Sequence, residues 1–386
     1  MKIISEGGNV KLNGYSAQKM NLTKLSKTEY ENFKSDLIKL LIEFNDAVKL
    51  RGGFYLFKNL NTLKNGGYFS GSSEQFISHT SEEFVPYKPT MGDIDVQVNN
   101  TEKNELKKVL SGLEGKSFNG FKYVGTNFGS DYNNLFLTPS KYKDVSNCIQ
   151  IDFEFISMGE SGEVSTFDKF NKSSMYIDLK NGLKGLFKSN FVSCLFSIKY
   201  EKPGVIFQDK KDEISKAKQT GFVSQFTYGN KGLRQKYSPV TDKNGTAIEY
   251  NGKPAYRVIK DITDDSSERN LDKIFDKLFD AKYDKKNAEL FSSYIGLLKL
   301  VKKYWDKSAQ KKLAEKWPTF MIAHKPDIDP DAFNKAMDAF HKEFPEYEEF
   351  KYEDVSNKNV SEKKDPFTFY KYVNECKDKY NKLLKD

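Results

Sequence analysis

The chain has 386 residues, 38% hydrophobic and 30% charged, which is apolar material for two or three packed domains on an otherwise polar chain. Its net charge of +8, spread along the sequence, suits a polyanion such as a nucleic acid or a nucleoside triphosphate, and suits plain solubility as well. Three dispersed cysteines (Cys148, Cys194, Cys376) without a CxxC pair, and only three histidines, exclude a disulfide framework and a structural zinc site of the usual spacing. They fit a reducing compartment. With no apolar leader at MKIISEGGNVKL and no run near the ~18 apolar residues a bilayer demands, the expectation is a cytoplasmic protein without a membrane segment.

In chain order, residues 1–20 read as a Gly- and Asn-rich arm. From Ser26 to about Lys49 the apolar residues Leu37, Leu40, Leu41 and Phe44 recur at helical spacing, and Ser26 with Glu29 forms a capping box. Residues 52–73 are glycine-rich, and the turn Gly71-Ser72-Ser73 precedes a helix. A strand follows at 93–98, a helix from Thr101 to about Leu113, and strands or hairpins at 121–129, 133–139 and 148–158. Residues 182–200 read as helix and "KPGVIF" (202–207) as a turn and a short strand. The stretch 208–265 carries turn signals and little periodicity. Helical stripes return at 268–279 and 287–305, Pro318, Pro326 and Pro330 break the pattern, and helices follow at about 331–343 and 366–384. The expected class is α+β: a mixed sheet with flanking helices over 1–200, an irregular connection over 201–265 and a mostly helical region over 266–386.

Two strands carry the chemistry. "MGDIDVQV" (91–98) sets Asp93 and Asp95 on one face and Ile94, Val96 and Val98 on the other. "IQIDFEF" (149–155) repeats the pattern with Asp152 and Glu154. An isolated Asp-x-Asp is most often a solvated surface pair, and the strand-forming neighbours argue against a calcium loop. If the two strands lie in one sheet, three carboxylates share a face and require cations between them, which two Mg²⁺ ions supply in phosphoryl or nucleotidyl transfer. Upstream, Gly71 lets the backbone approach a phosphate that Ser72, Ser73 and helix N-terminal amides can bind. Glu154 is either a solvated acid or a support behind the metal ligands.

These elements in this order resemble the nucleotidyltransferase superfamily of DNA polymerase beta, whose pattern is an hG[GS] turn, a Dh[DE]h strand and a third carboxylate on a later strand. "GGNV" (7–10), "GDIDVQV" (92–98) and "QIDFEF" (150–155) look closest to nucleotidyltransferases of tailed bacteriophages, over roughly residues 1–200. The resemblance implies that Asp93 and Asp95 ligate two Mg²⁺ (or Mn²⁺) ions, that Asp152 ligates the catalytic one and helps deprotonate the acceptor, and that Gly71 and Ser72 hold the β- and γ-phosphates of an NTP. It implies transfer of an NMP to an acceptor hydroxyl with release of pyrophosphate, in the host cytoplasm if the protein is phage-encoded. One departure stands out: Ser72 and Asp93 are 21 positions apart, wider than the family's usual spacing, so either "ISHTSEEFVPYKP" (77–89) is an insertion or another glycine pair serves.

Lys88, Lys122, Lys199, Arg234 and Lys236 are candidate phosphate contacts, the last two in the Gly-flanked loop "NKGLRQKYSP" (230–239). An RNA acceptor such as a tRNA end fits the positive charge, and a protein or small-molecule hydroxyl fits the acids equally. A non-catalytic nucleotide- or nucleic-acid-binding module is the alternative from another class, against which the three acids argue. A virion or scaffold protein leaves them unexplained.

Overall fold

The computed structural model describes residues 11–355, apart from 13, 101–102, 130–131, 211–212, 242–243, 251, 260–266 and 353–354. "GGNV" at 7–10, Cys376 and the helix expected at 366–384 lie outside the described residues. The chain divides into two compact units, residues 1–185 and 186–386. The fold is α+β.

The first unit is built on helix α1 (Lys27–Gly52) and a mixed sheet. The Ser26 hydroxyl accepts the Glu29 N–H at 3.3 Å and the Glu29 carboxylate accepts the Ser26 N–H at 2.9 Å, satisfying donors at the first turn. Gly53, at φ +79°, ends the helix in the left-handed conformation that glycine adopts without penalty. Between these ends Tyr30, Phe33, Leu37, Leu40, Leu41, Phe44 and Val48 form one buried stripe. Three shorter helices follow: Leu60–Lys64, then α2 (Gly71–Ser78) and α3 (Ser81–Phe84), the last begun by a Thr80–Glu83 capping box. Helices α2 and α3 occupy half of the wide spacing between Ser72 and Asp93.

Next come β1 (Ile94–Asn99), α4 (Lys103–Ser111), β2 (Ser117–Phe118), β3 (Phe121–Phe128), β4 (Tyr132–Pro139) and β5 (Ile149–Ile156). The sheet has five strands in the order β1-β5-β4-β3-β2. Only the β1–β5 pair among these is parallel, with Ile94 opposite Ile151, Asp95 opposite Asp152 and Val96 opposite Phe153. Side chains alternate along each strand, so this register sends Ile94, Val96, Val98, Ile151 and Phe153 to one face and the acids to the other. The apolar face packs on α1, where Phe44 meets Phe118, Tyr123 and Phe153 edge-on at 5.1, 5.8 and 6.0 Å. Each such fully buried ring contributes about 1.5–3 kcal/mol, so the acid-bearing strands are anchored from behind. Helices α5 (Thr166–Lys172) and α6 (Tyr176–Lys180) close the unit.

The second unit begins with a helix, Leu186–Lys199, apolar nearly all round: Phe187, Phe191, Val192, Cys194, Leu195, Phe196 and Ile198 are all buried. Such a helix belongs in the middle of a core. Phe191 meets Tyr294 and Trp317 edge-on at 5.1 and 4.9 Å. Trp317 Nε1 donates to the Tyr294 hydroxyl (2.9 Å), which donates to the Ala336 carbonyl (3.1 Å), so these polar atoms are satisfied inside the core. Helices Leu271–Phe279, Lys285–Phe291, Tyr294–Tyr304, Lys307–His324 and Pro330–Glu343 complete the helical part.

Three expectations change here. The stretch 201–265 is not simply irregular: strands Glu201–Lys210, Glu213–Ser224, Tyr237–Pro239, Glu249–Tyr250 and Lys253–Val258 form a second sheet, and Phe226–Gly229 pairs with Gly232–Gln235. The stripe at 287–305 is two helices, because Ser293 turns extended and its hydroxyl caps the second through the Gly296 N–H. Pro318 does not break its helix but sits inside Lys307–His324, buried beside Trp317 in the core, where packing outweighs the ~3 kcal/mol an interior proline costs. No helix among the described residues is long and apolar enough to cross a membrane, and Cys148 and Cys194 are buried free thiols.

Candidate functional site

The parallel register of β1 and β5 brings Asp95 and Asp152 side by side on adjacent strands, and Asp93, two residues before Asp95, joins them from the strand's entrance. Each of the three offers a carboxylate oxygen, and these oxygens all lie within 4.8 Å of one another. All three residues are half-buried.

The Gly-Ser turn reaches the same place by an isolated β-bridge at Phe69 that sequence reading missed. Tyr68–Ser70 runs antiparallel along the outer edge of β1: the Gln97 N–H donates to the Tyr68 carbonyl (2.7 Å), the Ser70 N–H donates to the Asp95 carbonyl (3.2 Å), and Phe69 bridges Val96. The next residue, Gly71, turns at φ +57° into α2. A Cβ on Gly71 would stand 3.1 Å from Asp95 Oδ2, so this position combines a left-handed backbone with close approach to the acid. Ser72 is half-buried at the start of α2. Ser73 is fully buried, and its hydroxyl accepts the Asp95 N–H at 2.9 Å; it secures the strand that carries the acid. Ser70 does not cap α2 with its side chain; its hydroxyl donates to Glu154 Oε2 at 2.8 Å.

Glu154 is not a solvated acid. Besides Ser70 it takes a 2.9 Å contact from Lys172 Nζ at the end of α5, and the Glu154 and Lys172 side chains are only 18% and 26% exposed. The carboxylate therefore ties β5, the Ser-Gly turn and α5 together. Asp152 is oriented by two amides, Asn134 Nδ2 at 2.7 Å and Gln150 Nε2 at 2.8 Å, both on Oδ1, which leaves Oδ2 outside that pair of bonds. Asn134 faces Asp152 directly across β4–β5, and Gln150 precedes it by one strand period. A polar residue two positions from a strand acid was the available signal for Gln150; Asn134 needed the register.

The electrostatics follow from crowding. Burial, then the charges of Asp93, Glu154 and Asp152, hold Asp95 well above the ordinary carboxylate range, with Lys88 pulling the other way. Burial, then Asp93, pushes Asp152 up to about 7, while the amides of Asn134 and Gln150 oppose the shift. Burial lowers Lys88, Asp93 and Asp95 raise it again, and Lys184 and Lys19 add repulsion. Among the expected basic residues, Lys88 is thus the one in the field of the acids. Lys122 is exposed on β3. Lys199, Arg234 and Lys236 belong to the second unit: Lys199 pairs with Asp280 at 2.6 Å, Arg234 lies on strand Gly232–Gln235, and Lys236 sits over the Tyr237 ring at 5.2 Å.

The donor set suits a hard divalent cation. It consists of carboxylate oxygens without sulfur or imidazole, which is the chemistry of Mg²⁺ or Mn²⁺. Two oxygens on one Mg²⁺ stand at most about 4.2 Å apart, twice its ~2.1 Å bond length. Cis oxygens on an octahedral Mg²⁺ stand about 3.0 Å apart, so the three acids, within 4.8 Å of one another, would draw together around a bound ion. No protein-family model, curated protein or solved structure matches the chain.

Proposed function

We propose that the first unit is a metal-dependent nucleotidyltransferase of the DNA polymerase beta kind, moving an NMP from an NTP to an acceptor hydroxyl. One observation carries this reading: Asp95 and Asp152 stand opposite each other in a parallel strand pair, with Asp93 within the same 4.8 Å and Gly71 against Asp95. Nothing in the packing of the sheet requires three acids there, and their mutual repulsion is a standing cost.

In this reading Asp93 and Asp95 hold Mg²⁺ or Mn²⁺ together with Asp152. The bound metal supplies Lewis acidity at the transferring phosphoryl group and at the attacking oxygen. Gly71 and Ser72, at the start of α2, face the triphosphate with backbone amides and a hydroxyl. Asp152, held by Asn134 and Gln150, orients the acceptor hydroxyl and takes its proton. The acceptor oxygen forms a bond to the α-phosphorus, the bond from that phosphorus to the bridging oxygen breaks, and pyrophosphate leaves. The chain's residues contribute positioning, with no covalent intermediate. RNA is the acceptor class that the charge of +8 favours, over a protein or small-molecule hydroxyl.

A second reading has one observation behind it. Lys88 lends the acids positive charge without a metal, as in a binding module that holds nucleotide and does not turn it over. Incubation with each labelled NTP, Mg²⁺ or Mn²⁺ and RNA, DNA or protein acceptors separates the two. Pyrophosphate release that disappears in Asp93→Ala and Asp95→Ala supports the transferase. Nucleotide binding without release in any combination selects the module.

A further inference from the structure

The residues between the Gly-Ser turn and the acids build a surface that the proposed chemistry does not use. His79, at the end of α2, stacks on Tyr176 of α6 at 4.0 Å and 19°. Tyr87, just past α3, meets the same ring edge-on at 6.2 Å. The Tyr176 hydroxyl donates to the Glu83 carbonyl at 2.8 Å, which fixes α6 against α3. Lys180, exposed at the end of α6, holds its ammonium 5.6 Å from the Tyr87 ring centre and 5.4 Å from that of Tyr176. Tyr87 is 42% exposed and Ile177 beside Tyr176 is 45% exposed, two of the few large apolar side chains so placed among the described residues.

Lys88 follows Tyr87 directly in the chain, and its charge is felt by Asp93 and Asp95 and opposed by the exposed Lys19 and Lys184. The surface therefore combines an exposed aromatic ring, a lysine held over it and, one residue further along the chain, a lysine whose charge the acids feel. The rings offer faces to unpaired bases, the lysines offer charge to the backbone phosphates, and Lys88 links this surface electrostatically to the acids. An acidic peptide would use the lysines and leave the exposed Tyr87 ring idle. A duplex would present no free base to stack.

We infer that the Tyr87–Lys180 surface is the track for a single-stranded nucleic-acid acceptor, one base stacking on Tyr87 and the adjoining phosphates lying on Lys180 and the lysines around Lys88. The inference rests on the transferase reading and assigns its acceptor. Nucleobases are also carried by the incoming NTP, and the experiment separates the two sources.

The test measures fluorescence anisotropy of a short labelled single-stranded RNA and its DNA counterpart with the full chain, without NTP or metal. Tyr87→Ala is expected to weaken binding by about five- to a hundredfold, the range for one lost base–aromatic stack, with Tyr87→Phe retaining it. Lys180→Ala is expected to lower the salt slope of log K by about 0.7. Asp93→Asn/Asp95→Asn is expected to bind the strand at least as well as the unaltered protein. Retained binding in that variant together with absent transfer in the unaltered protein would leave the surface standing and remove the reaction. Unchanged binding in Tyr87→Ala, with circular dichroism showing an intact fold, overturns the inference. So does a Tyr87→Ala effect confined to the KM for NTP, which would hand the ring to the incoming base. Tighter binding of duplex than of single strand overturns it as well.

Discussion

The two units bury polar groups in opposite ways. In the second, a polar chain runs through the core with its partners in place: Trp317 Nε1 to the Tyr294 hydroxyl, and that hydroxyl to the Ala336 carbonyl. Even the charge of Glu201 is met there, by Lys312 and by Lys316, the latter at 3.0 Å. In the first unit, Asp93, Asp95 and Asp152 crowd one another on a sheet face. Satisfied burial stabilises a fold; repulsive burial is kept against stability and marks the place where a ligand completes the structure. The candidate site thus stands out as the place where like charges crowd one another, whereas Glu201 in the second unit is met by opposite charge.

The widest gap between the units should appear at Asp95. Asp95→Asn is expected to reduce nucleotidyl transfer on the order of 10²–10³-fold, the cost of one lost electrostatic stabiliser. The same change should raise the melting temperature of the metal-free protein, because a repelling charge is gone. Loss of activity accompanied by a lower melting temperature would contradict the contrast. Trp317→Ala is expected to do the reverse and destabilise the second unit by about 3–5 kcal/mol in urea unfolding through the cavity it leaves.

The pH response sharpens the comparison further. Asp152, pushed up to about 7, binds its proton more tightly when folded than the unfolded chain does, so metal-free stability is expected to fall as pH rises from about 4 to about 7. One pKa step corresponds to ~1.4 kcal/mol, which bounds the whole effect at about 4 kcal/mol. Saturating Mg²⁺ should flatten the decline, and thermal melts at several pH values with and without the ion check both parts. The smallest effect belongs to Gly71→Ala. A left-handed backbone costs a residue with a Cβ about 1–2 kcal/mol, and that Cβ would press Asp95 Oδ2 from 3.1 Å. We expect slight destabilisation with a larger rise in the KM for NTP; destabilisation with an unchanged KM would mean that the turn serves the fold alone.

Much of the acid face was legible because strand alternation is a local property. "GDIDV" and "QIDFEF" announce which side chains share a face without any knowledge of the sheet. Their register was not legible, since opposing Asp95 to Asp152 depends on the intervening α4 and the β2–β4 meander. The Glu154–Lys172–Ser70 tie and the Phe69–Val96 bridge were hidden for the same reason: each joins separate segments of the chain. Pro318 misled because a local penalty was weighed without the core around Trp317 that outweighs it. The strands within 201–258 were obscured by turn residues such as Gly252, which close hairpins as readily as they mark loops.

The parallel pairing of β1 with β5 has a kinetic consequence. Asp95 and Asp152 are 57 positions apart and meet in neighbouring strands that no hairpin can join. That contact carries the loop-closure entropy of the whole intervening segment, so it belongs among the late events of folding. During synthesis, a chain that has emerged only through β4 already possesses Asp93 and Asp95 but lacks the third carboxylate. Tight cation binding would then arise only with a completed sheet, making metal affinity a reporter that the first unit has finished folding.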